Sequence, residues 1–532
     1  MNDKSALAQD GLPLSEGNAK FHQQMVYTVA MNTIRHFELA LGRRALWADQ
    51  DGNFVRRLTL NPHAMNDQNA FYSPERKGVL FGYFNAQAPD PAKQYPGGIV
   101  YTCLSHDIVA HEVTHALLDG LHKGFREPSN PDVLAFHEAF ADIVALFQQF
   151  SNPDVLRNQL AAVRGDLYME SLLGNLAKQF GEATTGHSAL RSAYLAFEKD
   201  ATTHQVNPQP TVLQGLTEPH VRGAVLLAAV YGAFLEIYRN RTADLLRIAT
   251  SGTGVLPLGA LHPDLINRLC IEAGKSAEHV LRMCIRALDY CPPVDITFGD
   301  YLRAIITADH DIVPDDDRHY RIAFVESFRK WGIYPPKLPT LSVETLLWQP
   351  PQLDNRDVLS SVFRFLSDFV AQNGYASSRE ELFQQTQRCK QGLREKLDKI
   401  LDDPAASAKL ASALGFSGSV ENYEIVRLRV AQKVSPDGDS MPQVIVAITQ
   451  QLETAPGDDP SRSLPFRGGA TLVADLRRSD IRYCITKSLD NKERQDRQLN
   501  YTKQLQDSGA YFPREPFALL HAVKQAGKRS TP

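Results

Sequence analysis

The sequence predicts an α+β protein in two parts: a mostly helical first part with a small sheet at its edge, followed by a separate small α+β domain. Three observations lead there. Apolar residues recur at three-to-five-residue spacing through much of residues 21–335, the period of a helix with one buried face. A proline-rich stretch, YPPKLPTLSVETLLWQPPQL at 334–353, interrupts that pattern and reads as a stiff linker. Beyond it, YEIVRLRV, QVIVAITQQL, GGATLVADL and IRYCITK alternate between breakers such as SPDGDSMP and GDDPSRSLP, the text of an antiparallel meander.

The elements follow in order. Residues 1–20 read as a flexible lead. A helix is expected over Phe21–Trp47, with Met25, Val29, Ile34, Phe37 and Leu41 on one face. Arg56–Leu60 and Gly78–Phe84 read as strands, and 99–122 and 132–150 as two strong helices. The stretch 151–215 is mixed, and apolar helices are expected near 221–238 and 276–290. The first domain is thus expected over 21–335, the linker over 336–353 and the second domain over 354–532. That second domain has helices through 355–414, then four strands, then a charged helical tail from about 490.

Bulk properties narrow the function. A length of 532 residues allows two or three domains, each with its own core. An apolar share of 43% with 22% charged residues fits a folded globular chain and excludes a disordered one. A net charge of −4 lacks the basic footprint of a nucleic-acid binder. Cys103, Cys270, Cys284, Cys291, Cys389 and Cys484 form no CxxC pair, so reduced thiols in a reducing compartment are expected. The polar N-terminus MNDKSALAQDGLPLSEGNAK has no apolar signal core, and no run of about 18 apolar residues suggests a membrane span. The cytoplasm is the default location, with export by a signal-less route left open.

The chemistry centres on HEVTH, residues 111–115. Helix positions i and i+4 share a face, so His111 and His115 can offer two imidazoles to one ion. Glu112 then stands beside the ion, placed to take a proton from a water there. Two solvated histidines on a helix surface remain the plainer alternative. The next helical segment, FHEAFADIVALF, puts Glu138 and Asp142 on one face of an otherwise apolar helix. Carboxylates there are costly unless paired or metal-bound. Glu138 as the third ligand and Asp142 as acceptor for a ligand imidazole N–H account for both.

HEVTH followed by HEAFAD resembles the thermolysin family of zinc metallopeptidases, and the resemblance extends over about residues 20–335. It implies a thermolysin-like catalytic domain with one catalytic zinc held by His111, His115 and Glu138, and with Glu112 as general base. NAFYSPERKGVLFGYF resembles the family's edge strand, so Asn69 and the backbone of Ala70 would hold the substrate main chain. SALRSAY resembles the loop with the carbonyl-binding arginine, here Arg191. EPHVRGAVLLAAVYGAF resembles the segment with the transition-state histidine, here His220. Asp107 matches the aspartate at the helix start. Ile99, Ile108 and Leu190 align with the specificity pocket, implying an apolar residue after the cut bond. Singly, Asn69 also fits a turn, Arg191 a surface cation and His220 a helix cap.

The departures are as specific. In GLHKGFREP, Phe125 and Arg126 stand where the family has its oxyanion-holding tyrosine; Arg126 or His122 is the nearest substitute. Glu218 is the nearest acid to His220, and Gln149 replaces an acidic calcium ligand. A double calcium site is not expected; other calcium binding stays open. The expected activity is a zinc metalloendopeptidase acting on a peptide or protein substrate. The alternative is a weakly active or inactive metal-binding thermolysin-like interaction module. In residues 354–532, Asp437-Gly438-Asp439 reads as a hairpin turn before a calcium loop, Arg467-Gly468-Gly469 as a strand start, and Arg427 and Arg429 as a solvated strand face. This domain is left to bind substrate, a partner or the protease domain.

Overall fold

A mixed α+β architecture is observed, in a computed structural model that describes residues 11–85, 98–167, 210–351, 356–454, 464–509 and 515–521, apart from 212, 257, 374, 375, 377, 419, 421, 435–437 and 439. Helix α1, Ala19–Leu41, is capped by Asn18, whose side chain accepts from the Lys20 N–H. It ends short of Trp47 because Gly42 takes the left-handed conformation at φ 65°, which closes a helix without a Cβ penalty. Residues just before the helix lie against it, with the Leu12 N–H donating to Gln24 Oε1 at 2.8 Å.

The first sheet comprises β1 (Thr59–Met65), β2 (Ala70–Ser73), β3 (Gly78–Asn85) and β4 (Ile99–Tyr101). β3 is central, parallel to β1 and antiparallel to β2 and β4. The strand expected at Arg56–Leu60 starts at Thr59, where pairing with Gly78 begins. β2 lies at the edge of this sheet. The Asn69 carbonyl accepts from the Gly82 N–H, so by alternation the Ala70 carbonyl and the Tyr72 N–H face away from β3.

The helix expected from residue 99 begins only at His106. β-Branched Ile99 and Val100 pair with β3, and a 3₁₀ turn at Thr102–Leu104 follows. Helix α2 (His106–Leu121) and helix α3 (Pro131–Gln149) then pack side by side. Asn130 caps α3 by accepting from the Asp132 N–H, with Pro131 at the first turn. α4 (Pro153–Ala162), α5 (Pro219–Ala249), α6 (Pro263–Ala287), α7 (Phe298–His310) and α8 (Tyr320–Lys330) surround this pair. Val113, Leu117, Phe136, Phe140, Val225 and Phe234 are buried between them. α5 passes α3 closely: a Cβ on Gly223 would meet the Ala135 carbonyl oxygen at 2.7 Å. Among the described residues α5 alone is long and apolar enough to cross a membrane, and most of its apolar window is buried, as in a core helix.

The proline-rich stretch is laid down on α7. Short α9 (Val343–Leu346) buries Leu346, the Trp348 N–H donates to Thr307 Oγ1 at 3.0 Å, and the Arg303 guanidinium sits 3.7 Å over the Trp348 ring. Helices α10 (Arg356–Asn373), α11 (Arg379–Leu401) and α12 (Pro404–Leu414) follow. Strands β5 (Tyr423–Val434), β6 (Ser440–Thr454), β7 (Leu464–Asp475) and β8 (Asp480–Lys487) then form the expected meander in sequential antiparallel order. Arg467–Gly469 lies within β7, and the β5–β6 connection holds Gly438; Asp437 and Asp439 lie outside the described residues.

This second part has its own core of Leu393, Leu414, Leu428, Val444 and Ile448, while Val473, Tyr483 and Ile485 join the core of the first part. Polar contacts cross the same seam. Gln443 Nε2 donates to Asp311 Oδ2 at 2.6 Å, Lys487 Nζ to Asp300 Oδ2 at 2.6 Å, and Arg494 Nε to Asp295 Oδ2 at 2.7 Å. Arg427 is therefore not on a solvated face. It is 4% exposed, with Nη1 3.0 Å from His122 Nδ1. Arg429 is half-buried, reaching the Gly120 carbonyl. The alternation of β5 was legible, but both of its faces are covered, one by helices and one by the first part. Helix α13 (Lys492–Asp507) and short α14 (Pro516–Leu520) close the chain, and α14 returns to pack on β2.

Candidate metal centre

α2 and α3 bring His111, His115 and Glu138 together. His111 Nε2 lies 3.0 Å from His115 Nε2 and 3.3 Å from Glu138 Oε2, and His115 Nε2 lies 3.6 Å from Glu138 Oε1. Donors about 2.0–2.1 Å from a tetrahedral zinc stand about 3.3 Å from one another, so this donor set fits that ion. The donors are also of the right chemistry, two imidazole nitrogens and one carboxylate. A fourth donor joins them, since one ligand atom from each of His111, His115, Glu138 and His521 lies within 4.8 Å of the others.

Each ligand is held from behind. His111 Nδ1 donates to Asp142 Oδ1 at 2.8 Å, the orienting bond expected of Asp142. Burial works against charge on His111, but Asp142, Glu138 and Glu112 outweigh it and raise its pKa to about 10. His115 is fully enclosed, and burial pulls it well below the usual histidine range. Its Nδ1 lies 3.2 Å from Nδ1 of His137, which burial itself depresses to about 3. Burial would raise the Glu138 carboxyl, yet His521, His115 and His220 hold it well below its ordinary value.

Glu112 stands beside the donors. Its Oε2 accepts from the Tyr72 N–H at 2.8 Å, and Oε1 lies 3.1 Å from His521 Nδ1. At the N-terminus of α5, His220 Nε2 comes within 3.4 Å of Glu138 Oε2, while Nδ1 meets Glu218 Oε1 at 2.8 Å. Glu218 also caps α5 by accepting from the Val221 N–H. These carboxylates raise His220 above its usual value against the effect of burial. Gly223, one turn further along α5, packs against the Ala135 carbonyl of α3.

At the edge strand β2, the Ala70 carbonyl is met by His521 Nδ1 at 3.0 Å. Asn69 is buried, and its Oδ1 has no hydrogen-bond partner among the described residues. Arg191 and Leu190 lie outside the described residues. Ile108 is buried in the core, whereas Ile99 on β4 is 53% exposed. Neither candidate replacement for the tyrosine is free. His122 Nε2 donates to the Leu288 carbonyl at 2.7 Å and stacks on buried Phe125, while Arg126 pairs with Asp119 at 2.8 Å. Gln149 Nε2 donates to Asp107 Oδ1 near the start of α2.

Two site residues were not found by sequence reasoning. His137 precedes Glu138 directly and belongs to no spacing rule. His521 is a lone histidine after PFALL, and nothing local marks it. A further cluster, His22, His63 and Cys103, meets the same spacing. There His22 uses Nδ1 on His63 and Nε2 on the Glu16 carbonyl, and burial pushes the Cys103 thiol up to about 12, so it reads as a hydrogen-bonded pair beside an inert thiol. A cavity of about 560 Å³ opens at the seam near Lys390, Arg427, Arg467 and Glu127, away from these ligands; the donor chemistry, not cavity size, marks the centre. No family model matches the chain, and comparison with curated proteins finds no match either.

Proposed function

We propose that the chain is a zinc-dependent metalloendopeptidase of thermolysin-like type, with its catalytic domain within residues 21–335. The observation that carries this reading is the donor set His111, His115 and Glu138 at 3.0–3.6 Å separations with Glu112 alongside. Zinc held there by His111, His115 and Glu138 would supply a Lewis acid that lowers the pKa of a bound water toward neutrality. Glu112, fixed by the Tyr72 N–H, would accept a proton from the attacking water and pass it to the leaving nitrogen of the peptide. His220, whose pKa Glu138 and Glu218 raise against the effect of burial, would donate to the developing oxyanion. The substrate backbone would lie along the edge of β2, where residues 515–521 now sit, with Asn69 Oδ1 as a further acceptor and Arg191 assigned to a substrate carbonyl by the family resemblance.

Glu112→Gln tests this. It keeps the shape and removes the base. Zinc should remain at one per chain in both proteins, and cleavage of a quenched generic peptide should fall at least ~100-fold, the lower range for losing a general base. Equal cleavage by the variant sinks the assignment. A second reading, a metal-binding module with little hydrolysis, is favoured by one observation: His521 contacts both Glu112 and Glu138. Absence of cleavage in every variant that retains zinc would select it.

A further inference from the structure

His521 lies 383 residues beyond Glu138, yet it sits among the ligands. We propose that residues 515–521 are a built-in plug: His521 is a fourth protein ligand to the metal, and the segment closes the cleft along β2 against substrate. The inhibitory half rests on the peptidase reading above; the ligand half does not.

The hydrogen positions follow from the neighbours. His521 Nδ1 faces two acceptors, the Ala70 carbonyl at 3.0 Å and Glu112 Oε1 at 3.1 Å. That nitrogen therefore carries the proton. Nε2 faces the donor cluster, 3.2 Å from Glu138 Oε2, and a metal held among those donors would take its lone pair in place of a proton. A catalytic zinc has three protein ligands and one open position, whereas four protein ligands make a closed site. One side chain thus fills the open position, engages the base Glu112 and occupies the outward carbonyl of the edge strand.

The rest of the segment anchors it. Phe517 is fully buried, stacked on the His115 ring at a centroid distance of 4.3 Å and packed beside Tyr72 and His137. Glu515 Oε1 accepts from Ser73 Oγ at 2.5 Å, at the other end of β2 from Ala70. The segment therefore covers the length of that strand. Being part of the same chain, it competes at an effective concentration on the order of millimolar, so a weakly bound peptide does not displace it.

The experiment uses the full chain as wild type, His521→Ala, Phe517→Ala and His521→Ala/Glu112→Gln. Zinc affinity is read by chelator competition, coordination by the visible spectrum of the cobalt-substituted protein, and cleavage with a quenched peptide. His521→Ala should bind zinc at least ~10-fold more weakly, show an altered cobalt spectrum, and cleave at least ~10-fold faster, with Glu112→Gln abolishing the gain. Phe517→Ala loosens the plug without removing a donor and should also cleave faster. Unchanged zinc affinity and cobalt spectrum in His521→Ala overturn the ligand. Cleavage in both His521→Ala and Phe517→Ala at or below that of an active wild type overturns the plug. Weaker zinc with no cleavage in any variant upholds the ligand and removes the peptidase reading instead.

Discussion

Asp142→Ala isolates the contribution of the residue behind His111, a proposed metal ligand. Asp142 is 6% exposed and accepts from His111 Nδ1 at 2.8 Å. Without it the imidazole loses both its orientation and the charge that makes Nε2 a stronger donor. Losing such a partner weakens metal binding about 10–100-fold, or about 1.4–2.7 kcal/mol. A second effect has the opposite sign. Burial disfavours a proton on His111, but Asp142 is the largest of the carboxylates that hold its pKa at about 10, and zinc must displace that proton. Removing Asp142 lowers the proton's hold, which favours zinc at neutral pH and matters progressively less as pH approaches the folded pKa. The wild-type advantage should therefore widen as pH rises from about 6.5 to about 9. Chelator competition across that range measures it, with circular dichroism confirming the fold. An Asp142→Ala affinity within twofold of wild type throughout, or an advantage that narrows with pH, refutes the reasoning.

Other expectations follow from the packing. Gly223→Ala places a methyl group against the Ala135 carbonyl; the strain should lower stability by about 1–3 kcal/mol and shift His220, so a urea midpoint equal to wild type contradicts the close approach. Arg494→Met leaves Asp295 short of a partner in a 3% exposed position and should cost about 3–5 kcal/mol at pH 7, read by urea unfolding. Asp295 also has a pH signature. Burial raises its carboxyl, but Lys487, Arg494 and Arg497 prevail and hold it below its ordinary value. Its contribution is thus fully present above the unfolded value, about 3.9, and is lost as pH falls through the lower folded value. The penalty of Arg494→Met should then shrink as the medium is acidified and Asp295 takes up a proton, and a penalty that stays constant down to the acid limit of folding argues against Asp295 as the partner.

Legibility followed distance along the chain. HEVTH and HEAFAD each lie on one helix, where period alone assigns faces, so His111, His115, Glu138 and Asp142 could be named and are found together. Errors fell where pairing or burial overrode local text. Ile99–Tyr101 falls within the expected helix but is held extended by β3, and a 3₁₀ turn at Thr102–Leu104 delays the helix further. Arg427 alternates like a solvent-facing residue but is covered by His122 and the seam. The proline-rich stretch reads as a stiff linker, yet Leu346 and Trp348 bury themselves on α7.

The mixed helix and sheet content, the meander of the second part and the cluster of potential ligands are written in the spacing of the residues, because helical and strand periods are local. Which carbonyl of β2 faces the centre, how near α5 brings His220, and that His521 arrives there at all come from folding in three dimensions. Those depend on packing between segments hundreds of residues apart, where no period links one residue to the next and the outcome is set by which surfaces bury each other.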